Sequence, residues 1–303
     1  MINNPLVSVI IPTYKRSDYL LRAIDSVLRQ TYAPIEIIVV DDNEGNNAFR
    51  EATKNNLQHY LTSGTIQYLE HEENKGLPAA RNTGIGVAKG DYVAFLDDDD
   101  EFLPEKTALQ VACFQKNNSS VGLVYGSFIR FETDLNTERI ITPKHAGNLH
   151  SLLGLNHIGP PSMVMCKKEA IATVNGFDET FRSREDIDFY YRLSEFYEVA
   201  FVPEVVMRYY IHPNTMSKIH TDKLTYMLRF IDKYGDELKK PASRWSEIQE
   251  RLGELQAVNG NRQKAITAFV KAYSNQPKRV SILAKATLAL LGSSLYKKYR
   301  NVS

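Results

Sequence analysis

The sequence predicts an α/β fold: a Rossmann-like, mostly parallel mixed sheet flanked by helices, followed by an all-α C-terminal extension. Three observations carry that expectation. Short β-branched runs alternate with amphipathic stretches over the N-terminal third. Two of the runs end in acids, Asp41-Asp42 and Asp97-Asp98-Asp99-Asp100. From about His220 onward the pattern is helical. A parallel sheet covered on both faces reads as continuous apolar runs of this kind.

Taken in order, Val7-Ser8-Val9-Ile10-Ile11 is a short apolar run closed by Pro12, a buried strand. Ser17 is placed to cap the next helix, where Leu20, Leu21, Ile24, Val27 and Leu28 form one stripe. A second buried strand covers 35–40 and ends in Asp41-Asp42. A helix runs to about Leu61, a short strand covers 66–69, and a helix covers 77–88. Gly90 leads to the strand at 91–96 and the acid tetrad. Residues 121–131 and 139–142 read as strands around a polar turn, with shorter ones at 160–166 and 200–202. Helices at 245–258 and 263–274 are joined by Asn259-Gly260-Asn261. The residues from Gly260 to Ala265, with Ala268, Phe269, Ala272 and Pro277, resemble part of a tetratricopeptide repeat. The expected division is 1–220 as one domain, with halves 1–118 and 119–220, then 221–303 as a helical extension.

Composition narrows the function classes. Net charge is +1 and the first two thirds carry no basic-aromatic stripe, which disfavours nucleic acid. Cys113 and Cys166 lie too far apart in sequence for a cysteine-based metal motif, so a reducing compartment is expected. The run at 7–11 is too short for the core of a signal peptide, and no uncharged run is long enough to span a bilayer. The expected location is cytoplasmic, with or without peripheral attachment at the inner membrane face. That attachment would use 277–303, where Lys278, Arg279, Lys285, Lys297, Lys298 and Arg300 accompany leucines and no acid. Two readings of this tail stand: a helix on an anionic membrane surface, or a terminal helix docked on its own domain.

Four adjacent carboxylates at a strand end repel one another unless a cation or a ligand's positive edge neutralises them. In an open α/β sheet such a tip lies where ligands bind, beyond the carboxyl ends of the strands. An EF-hand loop is excluded: counting from Asp97, Phe102 stands where Gly is needed and Ala108 where Glu is needed. A third acidic site, Glu185-Asp186, opens a helix after Arg182-Ser183-Arg184. Ser183 to Asp186 also has the spacing of a capping box.

Five motifs in order carry a resemblance. Val7 to Tyr14 is the first, and Val39-Val40-Asp41-Asp42-Asn43 the second. Glu73-Asn74-Lys75-Gly76 with Ala80-Arg81-Asn82 is the third, and Phe95-Leu96 with the tetrad the fourth. Gly176-Phe177-Asp178-Glu179 with Glu185-Asp186 and Arg192 completes the set. Together they resemble family-2 glycosyltransferases of the GT-A fold over roughly residues 5–215. The resemblance implies a nucleotide-diphosphate sugar donor, a UDP-sugar being favoured, and a glycan or lipid-linked acceptor in surface polysaccharide synthesis. It also implies donor contacts by Pro12, Thr13, Tyr14, Asp42, Asp97 and Asp98. Asp99 is the implied ligand for Mn²⁺ or Mg²⁺. Asp186 is the implied base of an inverting displacement, with Glu185 on the acceptor side. Arg81 either reaches the diphosphate or pairs with the acid-rich site. His212, in Tyr209-Tyr210-Ile211-His212-Pro213 with Ser217 behind it, is either a metal or phosphate contact or structural. Asp100 is read as a cap for the helix near Pro104. The loop from His157 to Met163 is read as acceptor-facing, and Tyr190, Tyr191, Tyr209 and Tyr210 as core or sugar-stacking residues.

Two other functions fit the sequence less well. A sugar nucleotidyltransferase would carry a Gly-rich loop after the first strand, and Pro12-Thr13-Tyr14-Lys15-Arg16 has no glycine. A non-catalytic binding module using the helical tail would tolerate broken acidic motifs, and all three are intact.

Overall fold

The computed structural model describes residues 4–45, 47–117, 119–142, 145–150, 158–212 and 220–299. Two compact units divide the chain. One is Met1–Leu149 with His157–Pro213, and the other is His150–Asn156 with Asn214–Ser303.

The strands of the first unit are β1 (Val7–Thr13), β2 (Ile35–Asp41), β3 (Gln67–Glu70), β4 (Tyr92–Phe95), β5 (Glu101–Phe102), β6 (Val121–Glu132), β7 (Thr137–Ile141), β8 (Val164–Lys167) and β9 (Glu198–Ile211). Its helices are α1 (Ser17–Leu28), α2 (Ala48–Thr62), α3 (Leu77–Val87), α4 (Lys106–Lys116), α5 (Lys168–Thr173) and α6 (Glu185–Phe196). The sheet order is β3-β2-β1-β4-β8-β6-β9-β5, with β7 paired to β6. The first four strands are parallel, and β8 joins β4 antiparallel. Every residue of β1 is buried, as a central strand covered on both faces requires. In this register Thr13 stands opposite Asp41, and β4 leaves the ladder opposite Ile10. The acids after β2 and β4 therefore emerge on one edge, beyond the strand carboxyl ends.

Several elements depart from expectation for physical reasons. Pro12 lies inside β1, paired with Val40, where β4 has already diverged and a ladder N–H is no longer needed. Ser17 is the first helical residue of α1; Arg16 holds the cap position without a side-chain bond. Leu28 is exposed, and Ala23 and Ser26 complete the buried face. Residues 160–166 begin with a short 3₁₀ turn, Pro161–Met163, before β8. β9 is far longer than 200–202, because Pro203 and Glu204 interrupt its apolar run at an irregular register against β6.

The second unit consists of α7 (His220–Leu238), α8 (Ala242–Val258), α9 (Arg262–Asn275), α10 (Ser281–Leu291) and α11 (Ser293–Tyr299). Its core gathers Ala257, Val258, Ala265, Phe269, Ala272, Ile282, Ala289 and Tyr296. Gly253 lets α8 and α9 approach closely: a Cβ there would sit 2.8 Å from the Phe269 ring. Lys285 reaches Glu250 at 2.7 Å and Glu254 at 2.6 Å, and Arg279 reaches Glu250 at 2.6 Å. Two of the tail's cations are thus turned onto the helical unit itself.

Candidate active site

The loop after β2 is organised around Asp42. His71 Nδ1 lies 2.7 Å from its Oδ1, and the backbone N–H of Lys75 donates to the same oxygen at 2.9 Å. Asn74 Nδ2 donates to Oδ2 at 2.9 Å and Gly76 N–H at 2.8 Å. A carboxylate offers about four acceptor sites, so this one is saturated by protein donors. The expectation that Asp42 accepts an N–H from a base meets a carboxylate already occupied in building the turn into α3. Behind it, buried Arg50 donates to the carbonyl of His71 at 2.6 Å and to that of Asn43, fixing the strand ends. Tyr14, 36% exposed, leans on Glu44 at 3.0 Å, at the open side of this loop.

The tetrad divides its acids among different partners. Asp100 N–H donates to Asp97 O at 3.0 Å, closing a turn. Asp97 N–H donates to Ser162 Oγ at 3.1 Å. Ser162 in turn donates to Asp100 Oδ2 at 2.6 Å, and Tyr210 N–H reaches Oδ1 at 3.2 Å. Asp100 therefore does not cap α4; it pins the turn to the 3₁₀ segment and to β9. Thr13 donates its hydroxyl to Asp98 Oδ2 at 2.7 Å. Asp99 is paired with Arg16, whose guanidinium also stands 3.7 Å from Asp98, and Arg22 donates to the Asp99 carbonyl at 2.6 Å. Burial and the charge of Asp99 push the Asp98 carboxyl up to about 7. Burial also raises Asp99, with Arg16 opposing. Two guanidinium groups, Arg16 and Arg81, face the carboxylates of Asp97, Asp98 and Asp99.

Arg81 is fully buried, with Nη2 2.7 Å from Asp97 Oδ1 and Nη1 3.0 Å from Glu185 Oε1. Of its two sequence readings, the pairing with the acid-rich site is the one adopted. It has no open face toward a diphosphate. Asn82, one residue on, brackets Phe177: its Oδ1 accepts from Phe177 N–H and its Nδ2 donates to Phe177 O, both at 2.9 Å. Gly176 fits here because its φ is +67° and a Cβ would sit 2.5 Å from Asn82 Oδ1. Arg192 completes the interlock, reaching Gly176 O and Asp188 at 2.8 Å. The motifs at 80–82, 176–179 and 185–192 are thus one connected scaffold.

Asp186 is the second residue of α6, after Arg184 in the left-handed region (φ 64°). Ser183 does not cap and Asp186 does not close a capping box: the helix begins one residue too late for it. Burial, and next the charge of Glu185, raise the Asp186 carboxyl to about 7. A carboxylate poised there is suited to take a proton near neutral pH. His212, at the end of β9, stacks on Tyr19 with centroids 4.8 Å apart, and lies parallel to Tyr210 at 6.2 Å. Burial lowers its pKa while the Asp99 charge opposes that shift. Tyr190 and Tyr191 are core residues. Pro213 and Ser217 lie outside the described residues, as does His157.

The donor set suits a hard divalent cation that is completed by a ligand. Among the described residues no three His, Cys, Asp or Glu side chains converge into a ready cage. Mg²⁺ is ordinarily held by one or two carboxylates with substrate phosphates and water, and the buried acids at Asp98 and Asp99 fit that mode. Arg16, Arg22, His71 and Ser162 are site residues that no sequence motif marks. Arg16 was legible only as part of a loop without glycine, and Ser162 lay inside the loop read as acceptor-facing.

The profile of Glycosyl transferase family 2 matches residues 8–174. The chain belongs to glycosyl transferase family 2. Within the family, an uncharacterised glycosyltransferase of Rickettsia bellii is 32% identical over 227 residues, 71% of this chain and 31% of that protein. The chain thus spans under a third of that relative. An Escherichia coli protein named UDP-Glc:alpha-D-GlcNAc-diphosphoundecaprenol beta-1,3-glucosyltransferase WfgD is 27% identical, over 79% of this chain and 89% of its own. Mannosyltransferase PcManGT from Pyrobaculum calidifontis, solved with GDP-Man and Mn²⁺, superposes with a TM-score of 0.61 at 18% identity, covering 99% and 84% of the two chains. That likeness shows the GT-A fold. The family-2 domain carries its acids at the strand edge where this fold opens. Among the described residues no helix is long and apolar enough to cross a membrane.

Proposed function

We propose that this family-2 chain transfers a glycosyl group from a nucleotide-diphosphate sugar, UDP-sugars being favoured, to a hydroxyl of a glycan or lipid-linked acceptor, with inversion. The observation that carries the reading is the Arg81 bridge. It joins the Asp97 end of the acid turn to Glu185, the neighbour of Asp186, so donor-facing and acceptor-facing carboxylates belong to one rigid site.

In this reading Asp186 takes the proton of the acceptor hydroxyl as its oxygen attacks the anomeric carbon. The bond from that carbon to the diphosphate breaks on the opposite face, and the nucleotide diphosphate leaves. One base and one displacement give inversion. Asp98 and Thr13 face the donor, and Tyr14 borders the nucleotide loop. Asp99 and His212 would hold a Mn²⁺ or Mg²⁺ ion, which supplies charge neutralisation for the leaving diphosphate when bound. The name of WfgD supports UDP as nucleotide and a polyprenyl-diphosphate acceptor, hence a role in surface polysaccharide synthesis. The Mn²⁺ in PcManGT supports a divalent ion.

A thermal-shift screen of UDP-sugars and GDP-mannose, with and without Mn²⁺, tests the reading. Ligand at about a hundred times its Kd should stabilise the fold by about 2.7 kcal/mol. At least one donor should raise the melting point, and more so with the metal. Absence of any shift across the panel contradicts the proposal.

A further inference from the structure

We propose that the outward face of α10 and α11 is a docking surface for an anionic lipid leaflet. The two helices are sharply two-sided. Ile282, Ala289 and Tyr296 point into the core of the helical unit. Lys285 is the only charged residue in α10, and it too points inward, to Glu250 and Glu254. That leaves an outer face without charge. Leu283 (41% exposed), Leu290 (46%) and Leu291 (65%) recur on it, with Val280 (65%) just before the helix. On α11, Leu295 (44% exposed) and Tyr299 (57%) are likewise exposed while Tyr296 is buried. Six of the fifteen large apolar residues exposed in the described chain thus fall within 280–299. Single exposed apolar residues are ordinary, whereas a contiguous set marks an interaction site.

The surrounding charge selects the occupant. From 277 to 303 the chain has no acid. Arg279 and Lys285 are spent on Glu250 and Glu254. Lys278, Lys297 and Lys298 are exposed, and no ion pair among the described residues engages them. An apolar face edged by lysines matches the boundary between acyl chains and anionic headgroups. A second copy docked symmetrically through this face would add three more lysines to one interface to which 277–303 contributes no acid, which opposes an isologous dimer. The surface would hold a transferase next to a lipid-linked acceptor, and to that extent it deepens the transferase reading. Its test requires neither donor nor acceptor, so the two can fail separately.

The full chain is floated with vesicles of phosphatidylcholine alone or with phosphatidylglycerol added. Binding should be at least about tenfold stronger on the anionic vesicles, and should weaken as salt is raised from about 0.05 M to about 0.5 M. The pair Leu290→Glu with Leu291→Glu should abolish binding while leaving the circular-dichroism melt unchanged, because both side chains face outward. Lys297→Glu with Lys298→Glu should reduce it several-fold, and Leu228→Glu, at an exposed leucine on α7, should leave it intact. Failure to bind anionic vesicles, or equal binding by wild type and the leucine pair, overturns the proposal. Light scattering that shows a dimer lost in the leucine pair also overturns it, by assigning the face to a second copy.

Discussion

Arg81 Nη1 lies 3.0 Å from Glu185 Oε1, across 104 residues of sequence, in a guanidinium that also reaches Asp97. Burial works against the charge of Arg81, and Asp97 and Glu185 outweigh it, so its pKa is raised. The relationship fixes how far the helix bearing Asp186 can move from the turn bearing the acids.

Removing this bridge should be costly. Arg81→Met leaves two carboxylates facing a buried site without a counter-charge. A loss of about 3 kcal/mol is expected, read as a lower urea midpoint. Adding Glu185→Gln to the same chain should recover part of it. A change below about 1 kcal/mol for Arg81→Met would show that water already screens the pair.

Arg16 should compete with the metal. Its guanidinium covers Asp99, so a cation bound alone must displace it, whereas a diphosphate arriving with the cation offers Arg16 a new anion. In Arg16→Ala, Mn²⁺ without nucleotide should bind about tenfold tighter, the equivalent of losing one charge-assisted bond of about 1.4 kcal/mol. With UDP present the advantage should vanish. Water-proton relaxation during Mn²⁺ titration reads both values, and identical affinities without UDP would remove Arg16 from this role.

Asp42→Asn should lower stability and nucleotide affinity together. An amide keeps one acceptor oxygen and turns an N–H₂ toward donors such as Gly76 N–H, at a cost of about 2 kcal/mol. Thermal melts and UDP calorimetry measure the two effects. A residue whose carboxylate touched only the base would lose UDP affinity with the melt unmoved.

The pH dependence follows from Asp186. Its carboxyl, near 3.8 when unperturbed, is raised to about 7 by burial and then by Glu185. In its proposed role as base it must be deprotonated, so the transfer rate should climb about tenfold per unit below pH 7 and level off above it. For stability the sign is opposite. Between about 4 and 7 the folded chain holds the proton more firmly than the unfolded chain, so stability falls as pH rises. Asp186→Asn escapes that penalty and should gain stability relative to wild type from pH 4 to pH 8. Melts across this range that move in parallel for the two proteins would place the perturbed group elsewhere.

What the sequence made legible was local. Apolar runs located β1, β2 and β4, because a buried parallel strand must be apolar along its length, and the acids that end the latter two located the strand edge where Asp42 and the tetrad emerge. The division of labour inside the tetrad was not legible. It depends on Ser162, Tyr210, Thr13 and Arg16, which lie from 62 to 110 residues away along the chain. The choice between the two readings of Arg81 was closed to sequence for a related reason. A guanidinium suits a phosphate or a carboxylate equally, and only the fold brings Glu185 near enough to choose. The length of β9 was hidden by Pro203 and Glu204, which the irregular pairing with β6 accommodates.

The most direct measurement uses Asp186→Asn and the donor that gives the largest thermal shift. Calorimetry of that donor with Mn²⁺ is paired with release of free UDP in the presence of a polyprenyl-diphosphate-linked GlcNAc acceptor. Donor affinity should agree with wild type within about twofold, while turnover falls by at least about a hundredfold, the usual contribution of a general base. Turnover near the wild-type rate, or loss of donor binding in step with activity, would contradict the assignment of Asp186 as the base.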